Sequence, residues 1–441
     1  MRRALKLVFA ALVGGGAPAV DAAPPPLVWQ GTTEVAAGRG EQGQWRQNES
    51  RYDYVDDPTV AIDGTGGIAV AWVDQARKAV LLQRFSLAGR PQLARPTDVS
   101  RQPATFSWLP RLAFAPDAPR QLYAVWQEIV FTPGGSHGGE IFFARSAGGG
   151  ATFAQPLNLS RSKGGDGKGR INREVWHNGS FDLVAGPGGA IHAAWTEYDG
   201  ALWHSRSTDA GTTFSPPRRV AADRRLPARA PSLALGADGT PYLAWTVGED
   251  AAADIRLSVS KDHGATFAAP RVVAPSRGYS DAPRLAIDSA GVLHLAYAES
   301  ADGPFGPSRV RHVRSFDGGR TFEPPRDISV PMPAGAVSAS YPSLAADRRG
   351  NVVVTWELAR ATRQQPRGLA VAVSTDGGAS FTPPALVRDS ADPEGGSNGS
   401  RQGLLMKKLA LGEQGAVAVV NSSFRAGARS RVWLMRGVLR R

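Results

Sequence analysis

The 441-residue chain contains no cysteine. This absence excludes disulfide bonds, a lipid anchor on cysteine, thiolate metal sites and a cysteine nucleophile. The seven histidines are scattered, and none of them forms an H-E-x-x-H motif. Because no nucleophile elbow or nucleotide-binding loop follows a strand either, the sequence predicts neither a metal ion nor a cofactor.

The chain also lacks an apolar segment long enough to cross a membrane. Three basic residues within the first six precede a short apolar stretch that ends at Val13, and small residues follow. This layout predicts a secretory signal peptide over residues 1–22, with cleavage after Ala19 or Ala22. We expect residues 23–441 to form a single exported domain, located in the periplasm or outside the cell.

Long blocks of consecutive basic residues are absent, although the formal net charge is +12. Removal of the signal peptide takes away three positive charges and one negative charge, which leaves +10. Arginine supplies 44 of the 51 basic residues, and these arginines are spread along the chain. The pattern argues against a nucleic-acid-binding stripe, while a basic surface favours anionic ligands such as acidic glycans.

No long stretch shows helical periodicity, whereas glycine (51) and proline (33) are abundant. Short alternating apolar runs between turn residues predict an all-β protein.

Four near-copies of the motif S-x-D-x-G-x-[TS]-F occupy residues 207–214, 260–267, 315–322 and 374–381. A fifth copy, at residues 146–153, has Gly148 in place of the aspartate.

The residue types of this motif suit a rigid turn. The carboxylate accepts hydrogen bonds from the backbone that follows it, and the glycine supplies a positive φ angle. The phenylalanine begins the next strand and anchors the turn in the core. We therefore predict structural roles for the four motif aspartates, Asp209, Asp262, Asp317 and Asp376.

The motif resembles the Asp-box, or BNR repeat, of sialidases and related β-propeller proteins, and the resemblance covers most of residues 50–440. It implies a β-propeller of four-stranded blades. A second repeated pattern, a strand, an Asp/Gly turn and a strand that usually ends in Ala-Trp, occurs seven times if a weak copy at 408–420 is included. Seven blades are favoured, with six as the alternative, and the strand-like segment 27–36 is predicted to close the ring.

Within such a blade, strands A to D run from the channel to the rim. The A–B turns and the Asp-boxes are short, and the long connections are the B–C and D–A loops, which share one face. Loops on a rigid scaffold are common binding sites, so this face is the functional candidate. The predicted ligand-binding residues are Asp56, Arg77, Trp108, Arg111, Trp176, Asn178, Arg229, Arg284 and Arg401.

The resemblance to sialidases implies a catalytic set as well. Sialidases bind the substrate carboxylate with three arginines and use a tyrosine nucleophile with a glutamate and an aspartate. The residues that best match are Tyr341, Glu197 or Glu299, and Asp74. The sequence departs from the family at the first arginine, because Asp56 occupies that place in Val55-Asp56-Asp57-Pro58.

Two functions from different classes follow. In the first, an exported and monomeric propeller binds a glycan through the loop face without evident catalysis; a protein ligand for the same face is left open. It predicts a flatter or plugged mouth whose acidic residues pair with local arginines. The alternative is an exo-acting glycoside hydrolase of sialidase type, which predicts that Tyr341 and carboxylates converge with at least two arginines. The first function is favoured.

Overall fold

A computed structural model describes residues 25–40, 53–101, 105–132, 135–162, 166–171, 176–221, 225–248, 253–361, 364–399 and 405–440. The predicted signal peptide and Arg401 lie outside these residues. The strands form seven antiparallel sheets of blade type, and a small two-stranded hairpin lies between the second and third blades. No helix long and apolar enough to span a membrane occurs in the described residues.

The first strand of the chain, β1 (Leu27–Gly38), belongs to the last blade. Blade 1 consists of β2 (Val55–Ile62), β3 (Ile68–Asp74), β4 (Ala79–Phe85) and β5 (Thr97–Asp98), and blade 2 of β6 (Phe106–Phe114), β7 (Leu122–Thr132), β8 (Gly135–Ser146) and β9 (Leu157–Asn158). The hairpin that follows contains β10 (Lys168–Arg170) and β11 (Trp176–Asn178). Blade 3 consists of β12 (Phe181–Ala185), β13 (Ile191–Thr196), β14 (Leu202–Ser207) and β15 (Arg218–Ala221).

Blade 4 consists of β16 (Ala228–Leu235), β17 (Pro241–Val247), β18 (Asp254–Val259) and β19 (Arg271–Val272). Blade 5 consists of β20 (Tyr279–Ile287), β21 (Leu293–Ser300), β22 (Arg309–Ser315) and β23 (Arg326–Asp327). Blade 6 consists of β24 (Ser338–Ala346), β25 (Val352–Ala359), β26 (Leu369–Ser374) and β27 (Ala385–Leu386). Blade 7 contains β28 (Ser397–Asn398), β29 (Leu409–Leu411), β30 (Ala416–Arg425), β31 (Arg429–Leu439) and β1.

The ring closes where the two ends of the chain meet. Strand β1 pairs antiparallel with β31, from Leu27 opposite Leu439 to Gly38 opposite Ser430. The predictions of seven blades and of an N-terminal closing strand are therefore confirmed, and the six-bladed alternative is wrong. The closure removes two free sheet edges, which would otherwise be sites of unwanted pairing.

The hydrophobic core lies between neighbouring blades. One cluster joins blades 1 and 2, and others join blades 4 and 5 or blades 6 and 7. The tryptophans that end the B strands are the largest members of this core, each at most 2% exposed: Trp72, Trp126, Trp195, Trp245 and Trp356. Their burial holds adjacent blades together along the whole ring.

Each Asp-box folds as a turn held by its own side chains. In the first box, Asp209 accepts hydrogen bonds from the Ser207 hydroxyl (2.7 Å), the Thr213 amide (2.9 Å) and the Thr213 hydroxyl (2.6 Å). The bonds from Thr213 are the main reason that the pKa of Asp209 falls to about 2. The other three boxes repeat this pattern around Asp262, Asp317 and Asp376.

Arginines connect the boxes of blades 2, 4 and 6 to the blade before them. Arg206 of blade 3 donates to the carbonyls of Asp262 (3.0 Å) and His263 (2.5 Å) in the box of blade 4. Arg84 and Arg314 make the equivalent bonds to the boxes of blades 2 and 6. Part of the arginine excess in the sequence therefore has a structural role between blades.

Candidate functional site

The A strands begin on the face formed by the B–C and D–A loops, and five of them contain the same irregularity. In each, the residue before a proline has a φ of 50–53° and the pairing with strand B shifts there. These residues are Asp57, Leu109, Ala230, Ala282 and Tyr341. Such a bulge bends the strand and changes the direction of the side chains beside the channel.

Residues 405–408, called here the central plug, fill the middle of this face. The Leu405 side chain is buried against Ala230, Ala282 and Tyr341, which come from blades 4, 5 and 6. The Leu405 carbonyl accepts hydrogen bonds from Arg111 of blade 2 and from Arg284 of blade 5 (2.8 Å for Arg284). Five side chains, from blades 2, 4, 5 and 6, therefore meet on a single residue of the plug.

The two arginines below the plug are engaged with backbone carbonyls. Arg111 also donates to the carbonyls of Leu109 (3.0 Å) and Gly179 (3.1 Å), and Arg284 to that of Met406 (3.3 Å). Arg111 is 0% and Arg284 4% exposed. Burial, followed by repulsion from Arg284, lowers the pKa of Arg111 to about 9. We predicted both as ligand-binding residues, but this burial gives them a structural role.

Acidic residues near the plug are paired with plug lysines. Lys407 contacts Asp182 at 2.6 Å, and Lys408 contacts Glu357 at 2.5 Å. The Asn398 amide donates to the second carboxylate oxygen of Glu357 at 2.7 Å. The plug is thus fixed by buried ion pairs as well as by hydrogen bonds, and these acids are not available as catalytic bases in this arrangement.

Beside the plug lies a cluster built around Arg229. Its guanidinium pairs with Asp281 (2.5 Å), donates to the Tyr279 hydroxyl and lies 5.3 Å from the centre of the Tyr279 ring. Burial disfavours its charge, yet Asp281 and Tyr279 more than compensate, so the pKa of Arg229 is raised. Arg229 also lies 3.5 Å from the carbonyl of Arg170, in the hairpin before blade 3.

Tyr341 belongs to the same neighbourhood. Burial and the charge of Asp281 raise the pKa of its phenol, which Arg229 opposes and Tyr279 and Glu357 reinforce. The carboxylates that act on Tyr341 are therefore Asp281 and Glu357, rather than the predicted Glu197 or Glu299. Since burial also raises the pKa of Tyr279, both phenols are protonated at neutral pH.

The hairpin extends this cluster outward. Lys168 and Arg170 of β10 lie 6.0 Å and 5.9 Å from the centre of the Tyr198 ring. Tyr198, on the B–C turn of blade 3, is 38% exposed. The resulting series, called here the mouth row, consists of Lys168, Arg170, Tyr198, Arg229, Tyr279 and Tyr341.

Four members of the mouth row were missed from the sequence: Lys168, Arg170, Tyr198 and Tyr279. The long loop at residues 160–178 did point to this region. Asn178, a predicted ligand residue, pairs with Lys168 across the hairpin and is 7% exposed. Only the backbone of Trp176 is described, in β11.

The remaining predicted acids interact with neighbours on their own blades. Asp74 pairs locally with Arg77 (3.5 Å), which is 67% exposed, on blade 1. Glu299 pairs with Arg311 (3.1 Å) on blade 5, and burial raises the pKa of Glu197 on the blade 3 turn. The charges that act on the Tyr341 phenol come from Asp281, Arg229 and Glu357, while Glu197 directly precedes Tyr198 of the mouth row.

Two predicted ligand residues at the openings of A strands are buried. Trp108 is 0% exposed and stacks on Phe106, with 6.3 Å between the rings. Asp56, which occupies the place of the first sialidase arginine, is 1% exposed in β2. The prediction that Trp108 and Asp56 contact a ligand does not fit this burial.

The fold and the repeats place the chain among seven-bladed β-propellers. A model of the BNR repeat-like domain matches residues 191–396, and the chain is a BNR-repeat β-propeller. No curated protein sequence matches it.

Solved structures give the same fold. The chain is similar to a PL25 ulvan lyase bound to -[GlcA(1-4)Rha3S]- (TM-score 0.57, 13% identity, 91% of this chain and 95% of that chain). It is also similar to the polysaccharide lyase Uly1 (0.56, 10%, 93% and 100%). A third similar structure is a GH93 α-L-arabinofuranosidase of Fusarium graminearum with arabinobiose (0.50, 12%, 75% and 92%). At these identities the likeness concerns the fold alone.

Proposed function

We propose that the mature chain is an exported protein that binds an anionic polysaccharide through the face formed by its B–C and D–A loops. The observation that carries the proposal is the mouth row. It combines an exposed aromatic ring, which suits the apolar face of a sugar, with cationic side chains that suit carboxylate or sulfate groups. The glycan-active proteins among the similar folds, including one bound to -[GlcA(1-4)Rha3S]-, support a carbohydrate ligand.

Binding is favoured over sialidase-type hydrolysis because the arginines near the plug already have partners within the protein. A sialidase site needs several guanidiniums for one substrate carboxylate, whereas Arg111 and Arg284 hold the central plug. Arg229 is paired with Asp281. The pairing of Asp182 and Glu357 with plug lysines, and of Asp281 with Arg229, supports this preference.

The test uses the mature protein in affinity electrophoresis with acidic and neutral polysaccharides. Arg170→Gln should weaken binding of the acidic polysaccharide about tenfold or more, since a charge-assisted hydrogen bond contributes about 1.5–3 kcal/mol. Tyr198→Ala should also weaken it, because it removes the aromatic surface for the sugar. Arg348→Gln is the matched control, because it removes an equally charged, exposed arginine from the A–B turn of blade 6, on the opposite face. Equal binding by the wild type and by both mouth variants would contradict the proposal.

A second candidate, glycan cleavage, rests on the position of Tyr341 between Asp281 and Arg229. In a sialidase-type reaction the Tyr341 oxygen bonds to the anomeric carbon while its proton passes to a carboxylate, here Asp281. The glycosidic C–O bond breaks, the leaving oxygen takes up a proton, and water then releases the sugar from Tyr341. The assay is hydrolysis of fluorogenic sialosides and other aryl glycosides by the wild type and by Tyr341→Phe. Turnover that Tyr341→Phe abolishes would establish cleavage; no turnover on any glycoside would leave binding alone.

A further inference from the structure

A cleft separates the outer part of blade 3 from blade 4. Its volume is about 480 Å³, within the range of small-ligand sites. Arg219 and Val220 of β15 and Leu226 line one side, and Val247, Arg256 and Pro270 line the other. The lining therefore combines aliphatic surface with two guanidinium groups.

The two arginines of the cleft differ in their surroundings. Arg219 lies within electrostatic reach of the Glu197 carboxylate. Arg256 is half-buried and lies opposite Trp245 on the neighbouring strand. Within the part of the chain that the structure describes, Arg256 has neither a hydrogen bond nor an ion pair with another side chain. A partly exposed guanidinium without a protein partner can bind a ligand carboxylate without first breaking an ion pair.

We propose that this cleft is a second binding site, which accepts a uronic-acid residue of an oligosaccharide. The guanidinium fork of Arg256 matches a carboxylate bidentately, and Arg219 adds a second positive charge. Leu226, 59% exposed, and Val247 provide apolar contacts for the C–H face of the sugar ring. The site is separate from the mouth row and its occupation does not depend on the proposed function.

An acidic peptide carries the same charge but fits the cleft less well. Peptides that bind at sheet edges pair their backbone with a long free strand. The strands that border this cleft, β15 and β19, have four and two residues. Recognition must therefore come from side chains, which suits a compact ring with one carboxylate.

The absence of cysteine allows the cleft to be observed directly. A Leu226→Cys variant carries one thiol, at the rim of the cleft, for an environment-sensitive fluorophore. Leu386→Cys on blade 6 is the matched control, since Leu386 is 60% exposed and Leu226 is 59% exposed. The probes are trigalacturonate, a neutral trigalactoside and a short polyglutamate peptide.

Trigalacturonate should change the emission of the label at position 226 but not at position 386. Adding Arg256→Gln should weaken this binding roughly tenfold or more, as expected for a lost charge-assisted contact. Adding Arg170→Gln, which alters the mouth row alone, should leave it unchanged, so failure of one site is distinguished from failure of the other. The proposal is overturned if trigalacturonate gives no change at millimolar concentration, if Arg256→Gln has no effect, or if the neutral sugar or the peptide binds equally well.

Discussion

Two pairs of buried histidines predict how the stability of this propeller depends on pH. His192 and His204 of blade 3 stack with 5.3 Å between ring centres, and their facing nitrogens are 3.1 Å apart. Burial, with further repulsion from Arg206, lowers the pKa of His192 to about 4 and that of His204 to about 3. His294 and His312 repeat the arrangement in blade 5.

The sign of the effect follows from proton uptake on unfolding. In an unfolded chain each imidazole titrates near pH 6.5, well above its folded value. Below that pH the unfolded state binds protons that the folded state does not, so the stabilisation is complete above about pH 6.5 and is lost as the pH falls toward 4. Between pH 7 and pH 5 the loss is about 2 kcal/mol for each such imidazole, or about 4 kcal/mol for the pair in blade 3.

Blade 2 supplies the variant that tests this. There, Tyr123 and Phe143 stack at 6.0 Å in the positions that His192 and His204 occupy in blade 3. Phe143 packs under the box glycine of the next blade, as the histidines pack under Gly264. The double variant His192→Tyr/His204→Phe should therefore keep the packing while it removes both titrating groups.

The measurement is the free energy of unfolding in urea at pH 7, 6 and 5, followed by tryptophan fluorescence. The double variant should lose about 4 kcal/mol less than the wild type between pH 7 and pH 5. His263→Asn, which removes an exposed histidine and keeps a residue tolerant of positive φ, should behave like the wild type. Parallel losses in the wild type and the double variant would refute the reasoning.

Two further predictions concern packing. Lys408→Met leaves Glu357 buried without its cation and should lower the free energy of unfolding by about 3–5 kcal/mol. The double variant Lys408→Met/Glu357→Leu should recover most of this loss, because it removes the unpaired charge as well. Urea unfolding measures both variants, and equal losses in the two would contradict the ion-pair argument. Gly264→Ala should lower the melting temperature more than Gly291→Ala. Both glycines have a positive φ, but only a Cβ at position 264 would meet a neighbour, His192 at 2.8 Å. Calorimetry compares the two variants, and equal shifts in melting temperature would point to backbone strain alone.

The parts of the fold that could be predicted depend on short stretches of chain. An Asp-box is complete within eight residues, because Asp209 bonds to Ser207 and Thr213. The same holds for the strand periodicity and for the count of repeats, which correctly gave seven blades. The closing strand was predictable because a blade with three strands leaves one edge without a partner.

The mouth row was not predictable in this way, since its contacts join different blades. Arg229 and Asp281 are 52 positions apart, and the two plug contacts of Arg111 and Arg284 reach across the ring to residue 405. The sequence offered one local signal, the repeated x-x-Pro pattern. In five blades the residue before this proline has a left-handed backbone conformation. That signal located the channel-facing end of each A strand but not which side chains meet there.

The central plug determines how a ligand can lie on this face. Leu405 is 1% exposed, packs against Tyr341 and accepts hydrogen bonds from two arginines through its carbonyl, so among the described residues the plug occupies the space beside Tyr341. The mouth row runs beside the plug, from Tyr198 on blade 3 to Tyr341 on blade 6. A ligand that contacts these groups must therefore extend along the face. This geometry suits an internal stretch of a polysaccharide better than the single terminal residue that an exo-acting sialidase binds.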